Sequence, residues 1–146
     1  MNRETVALAL FNLLEAPMRT AGAVTVARRL LHWSDVQPPD QPAVFVAQGD
    51  STPTQSTSGE PATWRMTFSV YIYVHELDPS ATPATRLNLL LDALTVALAP
   101  VGFEKKQRLG GTVEHCWISG AIETDEGTLG DQAMAIVPLE VLYSQG

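Results

Sequence analysis

Cysteine is nearly absent from this 146-residue chain. Cys116 stands alone, so no internal disulfide holds the fold. Charge is scarce as well. Asp, Glu, Lys and Arg make up 17% of the residues, against about 25% in an ordinary globular protein. Ser, Thr, Gln and Ala must cover much of the surface, which fits either a molecule that hides part of that surface against partners or one whose surface is merely neutral. Positive charge is the scarcer sign. Nine Lys and Arg face sixteen Asp and Glu, for a net charge of −7. The basic clusters, Arg28-Arg29 and Lys105, Lys106 and Arg108, are small. A protein that grips nucleic-acid phosphates carries a wide basic face, so sequence-specific nucleic-acid binding is disfavoured. No apolar run approaches the ~18 residues of a membrane-spanning helix. Val6 to Leu14 follow Arg3 like a signal-peptide core, but Asn12 and Glu15 cut the run short, and Pro17-Met18-Arg19 is a poor cleavage site. That segment reads as a mature helix of a protein folded in the cytoplasm, with no membrane partner.

What the chain has is pattern. From Trp64 to His75 it alternates almost without a break. Trp64, Met66, Phe68, Val70, Ile72 and Val74 share one side of an extended strand; Arg65, Thr67, Ser69, Tyr71, Tyr73 and His75 share the other. One side predicts a core wall, the other an amphipathic face centred on two tyrosines. Val6, Leu10, Leu13 and Leu14 make a helical stripe, widened by Ala7 and Phe11, with Asn2 as N-cap and Pro17 as its end. Leu87, Leu90, Leu91, Leu94 and Leu98 make a second stripe, opened by Thr82-Pro83 and stopped by Pro100 and Gly102.

Further strands are expected over Ala23–Trp33, with a bulge near Arg28, and over Pro42–Gln48, Val113–Glu123 and from Gly130-Asp131 onward. Gly49 to Pro61, rich in Ser, Thr, Gly and Pro, predicts a mobile loop. Gly110-Gly111 and Asp125-Glu126-Gly127 predict turns. The order is helix, three strands, helix, two strands. The fold class expected is α+β, a mostly antiparallel sheet covered on one face by two helices. The length fits one domain over 1–146, burying roughly 70% of its unfolded surface.

The residues offer little chemistry. His115 and Cys116 are adjacent in what reads as a strand, so their side chains point to opposite faces and do not make a nucleophile–base pair. His32, His75 and His115 lack metal-ligand spacing. Glu123, Asp125, Glu126 and Asp131 cluster near a turn but do not form a calcium loop. No glycine pattern matches a phosphate cradle. No catalytic residue, metal site or cofactor site is expected.

Several phrases together resemble the tail completion, or tail terminator, proteins of long-tailed bacteriophages. They are the opening helix Arg3 to Glu15, the segment Arg28-Arg29-Leu30-Leu31-His32-Trp33-Ser34-Asp35-Val36, and Gln41-Pro42-Ala43-Val44-Phe45. Leu87-Asn88-Leu89-Leu90-Leu91-Asp92-Ala93-Leu94, Leu109-Gly110-Gly111-Thr112-Val113 and Gly127-Thr128-Leu129-Gly130-Asp131-Gln132-Ala133 complete them. The resemblance implies a structural virion protein of the tail with no catalytic motif. Such proteins form a homo-oligomeric ring, commonly of six subunits, on the head-proximal end of the tail tube. The ring stops tube elongation and provides the surface for the head–tail connector, and DNA later passes through its lumen. On that expectation Arg28, Arg29, Tyr71 and Tyr73 are subunit-interface candidates. Asp50, Asp125, Glu126 and Asp131 are candidates to line the lumen or make loop contacts, where acidic groups repel phosphate. Two other readings fit the same residues: another phage neck or head–tail joining protein, and a generic α+β ligand-binding or dimerisation module.

Overall fold

The computed structural model describes residues 2–54, 58–59 and 61–144. Helix α1 is Arg3–Thr20, followed by strand β1, Thr25–Ala27, and two single 3-10 turns at Trp33–Asp35 and Pro38–Asp40. Strands β2 (Ala43–Thr54) and β3 (Thr63–His75) precede helix α2 (Pro83–Ala97). Strands β4 (His115–Ile118), β5 (Glu123–Leu129) and β6 (Gln132–Ser144) close the chain. All six strands form one mixed sheet in the order β1-β2-β3-β6-β4, with β5 also on β6. Only β1 and β2 run parallel.

The alternation in β3 works as its period demands. Met66, Phe68, Val70, Ile72 and Val74 are all buried on the helix-covered face. Ala133, Ala135, Val137, Leu139, Val141 and Tyr143 of β6 bury the same side. The two helices cover them. Val6, Ala7, Leu10, Leu14 and Met18 come from α1, and Leu87, Leu90 and Leu94 from α2. Each Val, Leu, Ile, Phe or Met among them contributes roughly 1.5–3 kcal/mol by leaving water. Asn2 caps α1, its Oδ1 accepting from the Thr5 N–H at 2.8 Å. Helix α1 runs past Pro17 for one more turn, and the Ala21 N–H donates to the Pro17 carbonyl.

Several expected strands have other boundaries. The Ala23–Trp33 segment is a strand only at Thr25–Ala27, because β1 runs beside β2 for three register positions. The rest crosses the second face of the sheet. There Val36 joins Ala43, Phe45 and Tyr73 in a small second core, flanked by Trp33, Tyr71 and Met134. Strand β2 extends to Thr54, through half of the expected loop; its register slips between Gln48 and Ser51. At Gly49 an added Cβ would stand 2.5 Å from the Thr67 Oγ1, so the bulge needs a bare backbone there. Residues 55–57 and 60 of that loop lie outside the described residues. The Val113–Glu123 strand is two strands laid end to end along β6. β4 pairs with Leu139–Leu142 and β5 with residues from Gln132 to Ile136. The turn expected at Asp125-Glu126-Gly127 is a bulge, and the hairpin turns instead at Gly130-Asp131.

A buried amide pair ties the crossing segment to the sheet. Gln41 and Gln132 are 7% and 3% exposed. Gln132 Nε2 donates to Gln41 Oε1 at 2.8 Å, and Gln41 Nε2 donates back at 3.1 Å. The remaining donors reach the carbonyls of Val36, Val74 and Ala133. Replacing one partner strands the other's polar atoms in the core. Gln132→Leu is expected to lower stability by about 1–3 kcal/mol, read as a lower urea midpoint. The Gln41→Leu/Gln132→Leu double variant should lose less than the sum of the two single changes.

Candidate functional site

The residue pair that looks most like an active site is dismantled by the sheet. Cys116 lies wholly buried in the main core, on the helix side of β4. Burial pushes its thiol up to about 12, so the nucleophilic thiolate is suppressed. His115 projects to the other side and stacks on Trp117, with ring centroids 5.0 Å apart and planes at 21°. Its Nδ1 accepts from the Gln107 backbone N–H at 3.1 Å, which fixes the ring as part of a strand-to-loop clasp. Among the described residues no group of three His, Cys, Asp or Glu is placed to hold a metal ion. No described helix is long and apolar enough to cross a membrane.

What is left is surface. Arg28 forks onto Glu4 of α1, its two guanidinium nitrogens 2.6 and 3.0 Å from the two carboxylate oxygens. That bond holds the Glu4 carboxyl below its usual range and raises Arg28. Arg28 thus fastens the crossing segment to α1, while Arg29 is exposed. The two tyrosines also part company. Tyr73 is 3% exposed in the second core, and its hydroxyl donates to the Leu31 carbonyl at 2.8 Å. Burial, and secondarily the neighbouring Tyr71, raise its phenol. Only Tyr71, half-buried, has surface to offer a neighbour.

Tyr71 stands in register with Ile136, Ser69 with Pro138, Arg65 with Leu142 and Trp117 with Glu140. This second face is therefore a half-exposed strip of apolar and weakly polar groups. Its one described ion pair is Arg65–Glu140, at 3.7 Å. Asp50 lies at the β2 bulge, its N–H donating to Thr67 Oγ1 at 2.8 Å. Asp125, Glu126 and Asp131 lie together at the far end of the sheet, on the β5–β6 hairpin. Asp125 Oδ1 accepts from the Thr128 N–H at 3.2 Å and braces the bulge; Glu126 and Asp131 are exposed. Two surface features carried no sequence signal strong enough to single them out. One is Phe103, wholly exposed on the loop between α2 and β4. The other is a cavity of about 290 Å³ beside β5 and β6, lined by Glu123, Thr124, Asp125, Met134 and Ile136.

The sequence matches no protein-family model and no curated protein. Solved structures do match. A chain from the virion of a native gene transfer agent particle superposes with a TM-score of 0.61 at 10% identity, over 95% of this chain and 94% of that one. The chain shares the fold of a virion protein. A second solved protein, of no stated role, superposes at 0.55 with 18% identity, over 100% of this chain and 97% of that one. The sheath/tube terminator of an extracellular contractile injection system reaches 0.48 with 12% identity, over 100% of this chain and 57% of that one.

The buried thiol sets two expectations. Cys116 should resist thiol reagents at neutral pH until the protein unfolds. Its pKa is about 12 in the fold against about 9 when exposed. Between those values the unfolded chain has released a proton that the folded chain keeps, so stability falls as pH rises. The loss is about 1.4 kcal/mol per pH unit. Cys116→Ala should flatten that slope in urea titrations run across the window, most clearly at its lower end, below the range in which the buried Tyr73 phenol adds a slope of the same sign.

Proposed function

We propose that this chain is a structural protein of a phage-type tail. It assembles as a homo-oligomeric ring, commonly six copies, on the head-proximal end of the tail tube. There it stops tube elongation and presents the surface to which the head–tail connector attaches. One observation carries this reading: a virion chain shares the fold across nearly the full length of both proteins. The sparse charge of the second sheet face supports it, since such a face loses little hydration on meeting a neighbour. The buried, unreactive Cys116 supports a role without catalysis.

On this reading Tyr71 and the crossing segment with Arg28 and Arg29 lie at or behind subunit contacts, with Tyr73 fixing that segment from below. The exposed carboxylates Glu126 and Asp131 are lumen candidates. Asp50, at the other end of the sheet, faces a different level of the ring. DNA passes through without sequence-specific contact, because an acidic wall repels phosphate and lets it slide. The tube protein and the connector are the partners, and the finished ring resides in the virion tail after assembly in the host cytoplasm.

Two measurements test this. Light scattering of the purified protein should show a species near six times the 15.8 kDa chain. Tails made without the protein should carry abnormally long tubes. Tubes of normal length on headless tails would reassign the protein to head–tail joining, and a stable dimer with normal tails would reduce it to a generic dimerisation module.

A further inference from the structure

Phe103 has no part in its own fold. It is wholly exposed, and Val101 beside it is 61% exposed. The loop that presents it is nevertheless braced. The Val101 N–H donates to the Lys106 carbonyl at 3.1 Å. Buried Gln107 donates through Nε2 to the carbonyls of Ala97 and Ala99, and its Oε1 accepts from the Leu109 N–H. A single exposed apolar side chain is ordinary, but a wholly bare phenyl ring next to an exposed valine on a braced loop makes a fixed apolar knob that a matching socket can cover. Lys105, Lys106 and Arg108 follow Phe103 along the same exposed loop, and Lys106 and Arg108 line a shallow cavity with it. Arg108 is paired within the loop to Glu104, which leaves both lysines as surplus positive charge in an acidic protein.

The complement lies on the same chain. The cavity beside β5 and β6 has an apolar floor, Met134 and Ile136, and an acidic rim, Glu123 and Asp125. At about 290 Å³ it accepts one aromatic side chain. The two features cannot meet within one molecule. Gln107, four residues beyond Phe103, is bonded to His115 and Cys116 of β4, which pair with Leu142 and Val141, whereas the cavity lies at Met134–Ile136. Six residues of extended strand separate Ile136 from Leu142, roughly 20 Å.

We propose that Phe103 of one copy enters the cavity at Met134 and Ile136 of the next, with Lys105 and Lys106 against Glu123 and Asp125. The occupant is a second copy of this chain, since one surface carries the apolar anchor and the surplus positive charge, and the other carries the apolar floor and negative rim. The anchor is an aromatic hot spot ringed by polar groups, and the neighbouring sheet strip at Tyr71 and Pro138 supplies the remaining contact area. Contacts between two different patches are heterologous and run head to tail, so they close into a ring or continue as a filament. The inference rests on the assembly reading above and names its contact.

The test uses two variants, each with one face removed. Phe103→Asp spoils the plug, and Glu123→Lys/Ile136→Lys spoils the socket. Each alone should self-associate about 10- to 100-fold more weakly than the unaltered protein. Mixed in equal amounts they should form a one-to-one dimer and stop there, because each retains one working face. Circular dichroism checks that both fold. As a second measurement, Phe103→Cys/Ile136→Cys in a Cys116→Ala background should give an oxidised ladder of oligomers. If both variants assemble like the parent, or the cysteine pair fails to cross-link, the contact is wrong, while the tube-length experiment still decides the ring. If the mixture dimerises but tails lacking the protein have normal tubes, the contact stands and the capping role falls.

Discussion

The pairing of β3 with β6 is the constraint on which the molecule depends. It runs without a shift from Thr63–Ser144 to His75–Gln132. Both strands alternate, and both turn their apolar sets to the same side. A one-residue slip would carry every one of those side chains to the other face, so the hydrophobic pattern itself holds the register. The helices have one apolar wall to cover, and they cover it. The opposite face receives what the alternation leaves over: Tyr71, Tyr73, Met134, Ile136, Pro138 and their neighbours. The crossing segment covers part of that second face around Phe45 and Tyr73 and leaves the strip from Tyr71 to Pro138 half-exposed. The core wall and the second face thus come from a single periodicity.

That periodicity is also why some elements were legible in the sequence and others were not. Strand β3 is readable because each position has a binary answer, apolar or polar, and the run is long. The helices are readable because their leucines repeat at helical spacing and Asn2 and Pro83 mark their starts. Strand β1 was read too long because Val24 and Val26 alternate, while the residues after them are held by tertiary contacts: Arg28 by Glu4, Tyr73 by Leu31, Gln41 by Gln132. No local pattern encodes a partner many residues away. β4 and β5 read as one strand because apolar residues alternate on both sides of Ser119-Gly120, the break between them, and only the shared neighbour β6 reveals that they lie end to end. β2 is the reverse case. Its second half is Ser, Thr, Gly and Pro, a loop composition, and it is drawn into the sheet by β3 alongside it.

The geometry of the His115–Cys116 pair is legible from the strand pattern alone. Adjacent residues on a strand oppose one another, and this was enough to separate His115 from Cys116 before any coordinates. Burial completes the argument by holding the thiol protonated. The pattern showed that Tyr71 and Tyr73 share a side, but not that Val36 and the chain around it would cover Tyr73. Phe103 escaped notice because one phenylalanine among loop residues has no period to betray it.

Charge placement bears on how such a chain assembles without aggregating. Copies carrying a net charge of −7 repel at long range, but at physiological salt that repulsion fades over about 8 Å. Short-range complementarity then decides which surfaces meet. Surplus lysines lie beside one end of β6, and carboxylates crowd the other end. Two copies side by side in the same sense therefore set unlike ends together only if one is displaced along the strand direction or turned about it. A turn of fixed angle repeated around an axis closes a ring, and closure uses every plug and every socket. A ring so formed has no sticky edge left, whereas an open filament of the same contacts always has two. On the proposed contact, a protein with so little surface charge to keep it apart from its copies would have its growth limited by closure.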